Sequence, residues 1–194
     1  MESKSKIWDQ RYRTALTDRV YAGQAAIVLT ENEHLLPKKG VALDLACGLG
    51  ANAIFLAGKG LDTYAWDYSA VAIDHLCQVV QSQALNITAE VRDVEVQPPE
   101  PGRFDVIVVQ HFLVRDLIPS LIAALNTNGL IFYQTFIRDK TLHVGPQKDA
   151  YLLAENELLT LFRSLNLIVY REEGLIGDIK RGFRNEAMLV ARRR

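Results

Sequence analysis

The sequence contains only two cysteines, Cys47 and Cys77, and neither lies in a Cys-x-x-Cys pair. This excludes a disulfide framework, and we expect two small buried apolar residues without a redox role and no metal site. No apolar run approaches the ~18 residues of a membrane span. The charged start of the chain, residues 1–7, also lacks the apolar core of a signal peptide. These absences predict a cytoplasmic protein without a membrane partner.

An excess of charge of either sign is lacking as well. Lys and Arg total 22 and Asp and Glu total 23, which gives a net charge of −1. A balance of this kind provides no general attraction to nucleic acid, so a nucleic-acid partner is not expected. With 194 residues, of which 49% are hydrophobic, the chain is long enough for one well-buried domain, and we expect a single domain over residues 1–194.

The most informative segment is residues 41–52, Val-Ala-Leu-Asp-Leu-Ala-Cys-Gly-Leu-Gly-Ala-Asn. It predicts a buried strand over 41–45, a tight turn with Gly48 and Gly50, and a helix that begins near Asn52. Glycines at such a turn let a ligand lie against bare backbone. Asp44 at the entry to the turn favours a cationic or hydroxyl-rich ligand and would repel a pyrophosphate. A nucleoside triphosphate is also not indicated, because the Gly-Lys-Ser/Thr of a P-loop is absent.

Strands and helices alternate along the rest of the chain. We expect strands over 62–67, 87–91, 104–109, 130–136, 167–171 and 187–191, and helices from 70 to 84, 117 to 125 and 155 to 165. The segment before the first strand, residues 1–39, is expected to be mainly helical. Alternating elements of this kind predict an α/β protein with a doubly wound, Rossmann-like sheet, here of seven strands, and the last two strands have no helix between them.

Residues 44–50, Asp-Leu-Ala-Cys-Gly-Leu-Gly, resemble motif I of the class I methyltransferases that depend on S-adenosyl-L-methionine. That motif is normally Asp/Glu-x-Gly-x-Gly-x-Gly, and Ala46 replaces its first glycine. The continuation through Asn52 and Ala53, together with Asp-Tyr-Ser at 67–69, is similar to the small bacterial methyltransferases of the tellurite-resistance type. The resemblance extends from Trp8 to Arg192. It implies a mostly parallel sheet that ends in an antiparallel β-hairpin, with residues 1–39 as a helical lid.

The resemblance also implies that S-adenosyl-L-methionine is the cofactor and S-adenosyl-L-homocysteine the product. Ligands of open α/β sheets bind at the carboxyl ends of the strands. Asp67, 23 residues after Asp44, is placed to accept the ribose hydroxyls, and Tyr68 is placed to pack on the adenine. Asp93 and the backbone of Val94 are expected to bind the polar edge of the adenine. The alternative for Asp93 is a helix cap. The expected cofactor contacts are Trp8, Arg13, Asp44, Ala46, Cys47, Gly48, Gly50, Asn52, Asp67, Tyr68, Ser69, Asp93, Val94 and Gln110.

The fourth strand ends at Gln110, His111 and Phe112, without the Asn/Asp-Pro-Pro-Tyr/Phe of the methyltransferases that act on amino groups of DNA or of protein glutamine. A small-molecule acceptor is therefore favoured, such as a chalcogen, a thiol or another anionic compound. His111 and His143 are candidate general bases, although each can equally be a structural or solvated histidine. Tyr12 and Arg184 are candidate acceptor contacts. The alternatives are that Tyr12 only docks its helix and that Arg184 is only solvated.

Two other functions remain open. A reductase that uses NAD could be built on the same sheet, but it predicts Gly-x-Gly-x-x-Gly with a pyrophosphate at the helix N-terminus, and this chain has Asp44 before the turn and alanine at position 53. A module that binds S-adenosyl-L-methionine without catalysis is the second. The accepting atom and the oligomeric state, monomer or dimer, are not fixed by the residues.

Overall fold

The computed structural model describes residues 4–17 and 23–194, so parts of the predicted lid segment, residues 1–3 and 18–22, lie outside the described residues. One sheet contains seven strands, β1 (Val41–Leu45), β2 (Asp62–Asp67), β3 (Ile87–Val91), β4 (Phe104–Gln110), β5 (Leu125–Phe136), β6 (Asn166–Glu172) and β7 (Glu186–Arg192). Their order across the sheet is β3-β2-β1-β4-β5-β7-β6. Two compact units divide the chain, Met1–Pro98 and Pro99–Arg194, and the prediction of one domain stays a prediction. No helix among the described residues is both long and apolar enough to cross a membrane.

The N-terminal unit contains the three strands that precede Pro98. They pair in parallel, β2 with both β1 and β3, and the register places Leu45 beside Trp66 and Asp67 beside Val91. Its helices lie before and between these strands, and a short 3-10 turn covers Glu33–Leu35. The elements are α1 (Lys4–Thr17), α2 (Ile27–Thr30), β1 (Val41–Leu45), α3 (Ala51–Gly58), β2 (Asp62–Asp67), α4 (Ala70–Gln83) and β3 (Ile87–Val91).

Helix α4 forms where an N-cap and an apolar stripe coincide. Ser69 Oγ accepts a hydrogen bond from the Ala72 N–H at 3.3 Å, which satisfies one of the donors that a helix start leaves open. Ile73 and Leu76, three residues apart, point into a core cluster with Ala53 and Ala65. This stripe fixes the helix against the strands that carry the glycine turn, as the helical periodicity predicts.

The C-terminal unit carries the closing hairpin. Strand β4 pairs in parallel with β5, whereas β7 lies between β5 and β6 and is antiparallel to both. The predicted fold, a mostly parallel seven-stranded sheet with an antiparallel C-terminal hairpin, is therefore confirmed. The elements are β4 (Phe104–Gln110), α5 (Ile118–Ala124), β5 (Leu125–Phe136), α6 (Glu157–Leu161), β6 (Asn166–Glu172) and β7 (Glu186–Arg192), with 3-10 turns at Arg115–Leu117 and Asp149–Tyr151.

Two predicted boundaries in this unit are wrong. Strand β5 begins at Leu125 rather than at 130, because Leu125 already pairs with Phe104 before the ladder is interrupted and resumes at Leu130. A Cβ on Gly129 would lie 2.9 Å from the Asn126 carbonyl oxygen, so this interruption requires glycine. Helix α6 covers only 157–161 of the predicted 155–165. Asn156, which precedes it, has a left-handed φ of +59° that stops the helix from extending toward the N-terminus.

Candidate functional site

The turn after β1 has a left-handed backbone at three of its residues. φ is +56° at Ala46, +54° at Gly48 and +83° at Gly50. A Cβ on Gly48 would lie 2.9 Å from the hydroxyl oxygen of Tyr12, and one on Gly50 would lie 2.5 Å from a methyl carbon of Leu76. Both glycines are therefore required by space as well as by φ. Ala46 adopts the strained conformation with its Cβ, which explains why glycine is the usual residue in the motif.

Asp44 is fully buried and forms hydrogen bonds with two residues that follow the turn, Asn52 and Ala53. Its Oδ2 accepts the Ala53 N–H at 3.0 Å and its Oδ1 accepts from Asn52 Nδ2 at 3.4 Å. Asn52 in turn accepts the Ala26 N–H at 2.8 Å. Burial raises the pKa of Asp44 to about 7, against the opposing effect of these hydrogen bonds. Asp44 and Asn52 thus hold the shape of the turn, and their predicted contact with a cofactor stays a prediction.

Asp67, at the end of β2, is bonded to the same turn. Its Oδ2 accepts the Gly48 N–H at 2.8 Å and its Oδ1 accepts the Ser69 N–H at 2.9 Å. Burial raises its pKa, and the backbone donors partly offset this. Since a carboxylate has about four acceptor positions, both oxygens can still accept hydroxyl groups. The Gly48 N–H is already used by a carboxylate, so the turn offers an acidic surface rather than donors for a phosphate.

Cys47 is the residue of the turn that faces the core. Its thiol is buried, and burial raises the pKa of the thiol well above its usual range, with Asp44 and Asp67 adding to the effect. A thiol in this state is neutral and inert. It belongs to the same core cluster as Ile73 and Leu76, as the sequence predicts for its burial, and its predicted contact with the cofactor stays a prediction.

Helix α1 reaches this site through a residue that sequence reasoning missed. Asp9 Oδ1 accepts from Ser69 Oγ at 2.5 Å and from the Val71 N–H at 3.4 Å. Asp9 follows Trp8 and comes shortly before Arg11 and Tyr12, and these aromatic and basic neighbours were the signal that could have identified it. Tyr12 lies over Gly48. Trp8 and Arg13 are exposed, and their predicted contact with the cofactor stays a prediction.

The residues predicted to bind an adenine lie around the ends of β2 and β3. Asp93 Oδ1 accepts the Glu95 N–H at 3.0 Å, and its carbonyl accepts from the N–H groups of Val96 and Gln97. Asp93 therefore holds a turn, and since the described residues between β3 and β4 form no helix, the alternative of a helix cap is wrong. Val94 is buried and Tyr68 is half-buried. The adenine contacts of Tyr68, Asp93 and Val94 remain predictions.

In the C-terminal unit, His111 follows directly on Gln110 at the end of β4 and has a left-handed φ of +55°. Its Nε2 lies 2.9 Å from Oε1 of Glu186, the first residue of β7. Sequence reasoning missed Glu186, which is 75 residues away and carries no local signal. His143 is exposed on the loop after β5, and the described residues give it no hydrogen-bond partner.

Arg184 is almost entirely engaged by its own loop. Nε donates to the Arg181 carbonyl at 2.6 Å, Nη1 to the carbonyls of Glu173 and Gly174, and Nη2 to the Asp178 carbonyl at 3.0 Å. These four bonds order the loop between β6 and β7. The predicted contact of Arg184 with an anionic acceptor stays a prediction, and what the structure gives this residue is an organising role.

The chain is similar to known proteins over most of its length. A family model described as "Tellurite resistance protein TehB" matches residues 22–189. A curated relative, the probable S-adenosyl-L-methionine-dependent methyltransferase TehB of Haemophilus influenzae (strain 10810), is 28% identical over 137 residues, which cover 67% of this chain and 47% of the relative. The chain thus spans about half the length of this relative.

Solved structures agree on the fold. The crystal structure of TehB from Haemophilus influenzae has a TM-score of 0.70 and 25% identity, covering 86% of this chain and 61% of the other. The structure of a TehB-like S-adenosyl-L-methionine-dependent methyltransferase from Corynebacterium glutamicum has a TM-score of 0.68 and 18% identity, and covers 98% of both chains. At that identity the second likeness concerns the fold alone.

Proposed function

Because the chain belongs to the family of the tellurite resistance protein TehB, we propose that it is a methyltransferase that uses S-adenosyl-L-methionine to methylate a small-molecule acceptor. The family match confirms the resemblance drawn from residues 44–50 and 67–69, and the sheet agrees with it. The activity of the whole protein is the proposal, since the chain covers 47% of its curated relative.

The observation that carries the proposal is the bond between the Gly48 N–H and the Asp67 carboxylate, 2.8 Å long. A turn that binds the pyrophosphate of a dinucleotide needs its N–H groups for the phosphate oxygens. Here a carboxylate uses one of them, and Asp44 adds a second acidic group beneath the turn. This arrangement favours a ligand with a positive charge and hydroxyl groups, and it argues against the reductase that uses NAD.

The residues present fit S-adenosyl-L-methionine in their chemistry. Gly48 and Gly50 give the turn its left-handed backbone and allow it to pack closely against Tyr12 and Leu76. Asp67 keeps acceptor positions for the ribose hydroxyls, and the acidic turn suits the positive charge. When bound, the cofactor supplies an electrophilic methyl group on a sulfonium, so the protein mainly has to position the acceptor and exclude water.

The proposed acceptor is a small molecule with a nucleophilic atom, and chalcogen, thiol and other anionic compounds all satisfy this description. An acceptor that is already deprotonated needs only positioning. An acceptor that carries a proton at neutral pH needs a base within reach. His111, at the carboxyl end of β4 and hydrogen-bonded to Glu186, is the candidate that we favour over His143, which has no hydrogen-bond partner among the described residues.

A transfer assay tests this function. Protein is incubated with S-adenosyl-L-methionine carrying a radiolabelled methyl group and a panel of thiols, phenols, amines and chalcogen oxyanions, with Asp67→Asn as the comparison. We expect label in at least one acceptor and a rate at least tenfold lower for the variant. Cofactor binding without transfer to any acceptor would favour a binding module instead. Neither binding nor transfer by folded protein would refute the proposal.

A further inference from the structure

Four residues meet at the ends of β4, β5 and β7, and we call them the His111 cluster: His111, Gln134, Phe136 and Glu186. His111 Nε2 lies 2.9 Å from Glu186 Oε1, and Gln134 Nε2 donates to Glu186 Oε2 at 2.6 Å. The ring of Phe136 stacks on the imidazole with centroids 4.4 Å apart and planes 19° apart. The cluster thus restrains the histidine ring on an edge and on a face.

The backbone at His111 is also restrained. Its φ of +55° is one that residues other than glycine seldom adopt. Such a conformation costs about 1–3 kcal/mol and persists where the surrounding structure imposes it, which happens most often at functional sites. The His111 N–H donates to the Gln134 carbonyl at 2.9 Å, so the same residue holds both the backbone of His111 and the side chain of Glu186.

These contacts determine which ring nitrogen carries the proton. A carboxylate only accepts, so the neutral imidazole must present an N–H at Nε2. The lone pair is then at Nδ1, which has no hydrogen-bond partner within the described residues. The His111 side chain is 41% exposed, whereas that of Glu186 is 16% exposed. The ring is therefore supported from the protein side and accessible to a ligand from the other.

We propose that Glu186 is a positioning residue that keeps His111 in its Nε2–H tautomer, so that Nδ1 takes the proton of a thiol acceptor. This inference rests on the proposed methyltransferase function and names its acceptor class. The thiol sulfur forms a bond to the methyl carbon while the bond of that carbon to the sulfonium sulfur breaks. The thiol proton moves to Nδ1, and the resulting imidazolium is stabilised by the Glu186 carboxylate. The products are a methyl thioether and S-adenosyl-L-homocysteine.

A thiol matches this base better than other protonated acceptors. Among the common protonated acceptors an alkyl thiol, with an ordinary pKa of about 8.5, releases its proton to a base most readily. A phenol, with a pKa of about 10, is less favourable, and an amine presents a cation to the imidazolium that forms. A chalcogen oxyanion carries no proton that must be removed, so its methylation would not require the His111 cluster as a base.

The first arm of the test uses the protein without cofactor. Nitrogen-15 NMR of the imidazole rings reports which nitrogen is protonated, and with only four histidines in the chain the His111 signals are identified by His111→Gln. We expect the Nε2–H form to dominate in the unmodified protein and this preference to weaken in Glu186→Ala, which removes the acceptor, whereas Glu186→Gln keeps an amide oxygen that can accept the N–H. The exposed Glu155→Ala, which removes the same side chain elsewhere, is the matched control and should leave the signals unchanged.

The second arm measures turnover of two thiols near pH 7.5, one alkyl thiol that is mostly protonated and one arenethiol that is already ionised. Glu186→Gln should lower kcat for the alkyl thiol about tenfold or more while KM stays within about twofold, and should leave the arenethiol rate within about twofold. Equal losses for both thiols would mean a merely structural role and would overturn the positioning.

The two arms separate the failure of this inference from that of the proposed function. A dominant Nδ1–H tautomer in the unmodified protein refutes the positioning by Glu186, whatever the enzyme methylates. A correct tautomer with turnover of oxyanions but of neither thiol refutes the acceptor class alone. Absence of turnover with every acceptor refutes the thiol assignment together with the proposed function.

Discussion

Asp44 and Asp67 are the two residues that most affect the chemistry of the turn, and both are carboxylates kept from water. Asp44 is held by Asn52 and the Ala53 N–H, and Asp67 by the N–H groups of Gly48 and Ser69. Burial raises the pKa of each. The hydrogen bonds lower the cost of the charged forms but do not remove it. The turn therefore carries acidic groups whose protonation is linked to folding.

This linkage predicts a pH-dependent stability. Burial raises the pKa of Asp44 from 3.8 to about 7. Between these values the folded protein holds a proton that the unfolded chain has released, so the free energy of unfolding falls as the pH rises and is constant above the folded pKa. Urea unfolding at pH 5 and pH 8 should show this loss, and Asp44→Asn should reduce it by about 2–3 kcal/mol.

Asp44→Asn should still show part of the fall in the free energy of unfolding between pH 5 and pH 8, because the raised pKa of Asp67 acts in the same direction. Asp74→Asn, at an exposed position of α4, is the control and should retain the pH dependence of the unmodified protein. An Asp44→Asn protein with an undiminished fall between the two pH values would show that Asp44 does not titrate as described.

Gly50 provides a second prediction for a single residue. Its φ is +83° and an added Cβ would overlap the methyl groups of Leu76 at 2.5 and 2.7 Å. Gly50→Ala should therefore lower the free energy of unfolding by about 2–4 kcal/mol. Gly58, at the exposed end of α3, has nothing within 4 Å of the corresponding Cβ. Gly58→Ala should change stability by about 1 kcal/mol or less. Equal effects of the two substitutions would contradict this account.

At the scale of elements, α1 depends on contacts with α4. A 14-residue helix is marginal by itself in water. Asp9 provides the polar part of the docking, because it accepts from Ser69 Oγ and from the Val71 N–H in the first turn of α4, where a negative charge is also favoured by the helix dipole. Ser69 thus caps α4 and binds α1.

Asp9→Ala should release α1 without unfolding the N-terminal unit. Ser69 Oγ can still accept the Ala72 N–H, so α4 keeps its cap. We expect amide hydrogen exchange over residues 4–17 to increase about tenfold or more, with little change in β1 and β2. Asp74→Ala, which removes an exposed carboxylate from α4, is the matched control. Unchanged protection of 4–17 in Asp9→Ala would show that apolar contacts alone hold the helix.

The elements that sequence reasoning placed well are those whose signal is local. β1 and β4 are mostly apolar, and α4 has both an N-cap and a stripe of the helical period. The boundaries of β5 and α6 were misplaced because they depend on pairing of Leu125 with Phe104 and on the left-handed φ of Asn156. Neither the pairing nor the backbone angle can be predicted from a short segment of sequence.

At the scale of the whole molecule, the fold class and the family were within reach of the sequence, since the glycine turn, the acid that ends β2 and the terminal pair of strands are each recognisable. The partners of the functional groups were not. The bond from Gly48 to Asp67 spans 19 residues and the contact of His111 with Glu186 spans 75. Contacts of this length arise only when the sheet has assembled, so the sequence identified Gly48, Asp67 and His111 as candidates but predicted neither their pairing nor Glu186.

The central claim is that the acidic glycine turn binds S-adenosyl-L-methionine, and calorimetric titration tests it most directly. We expect binding of S-adenosyl-L-methionine and S-adenosyl-L-homocysteine with Kd of about 1–100 μM, or roughly −8 to −5 kcal/mol. Asp67→Asn should weaken both at least tenfold, whereas Asp74→Asn should not. Heat signals absent for both ligands with folded, unmodified protein, or unaltered by Asp67→Asn, would contradict the account.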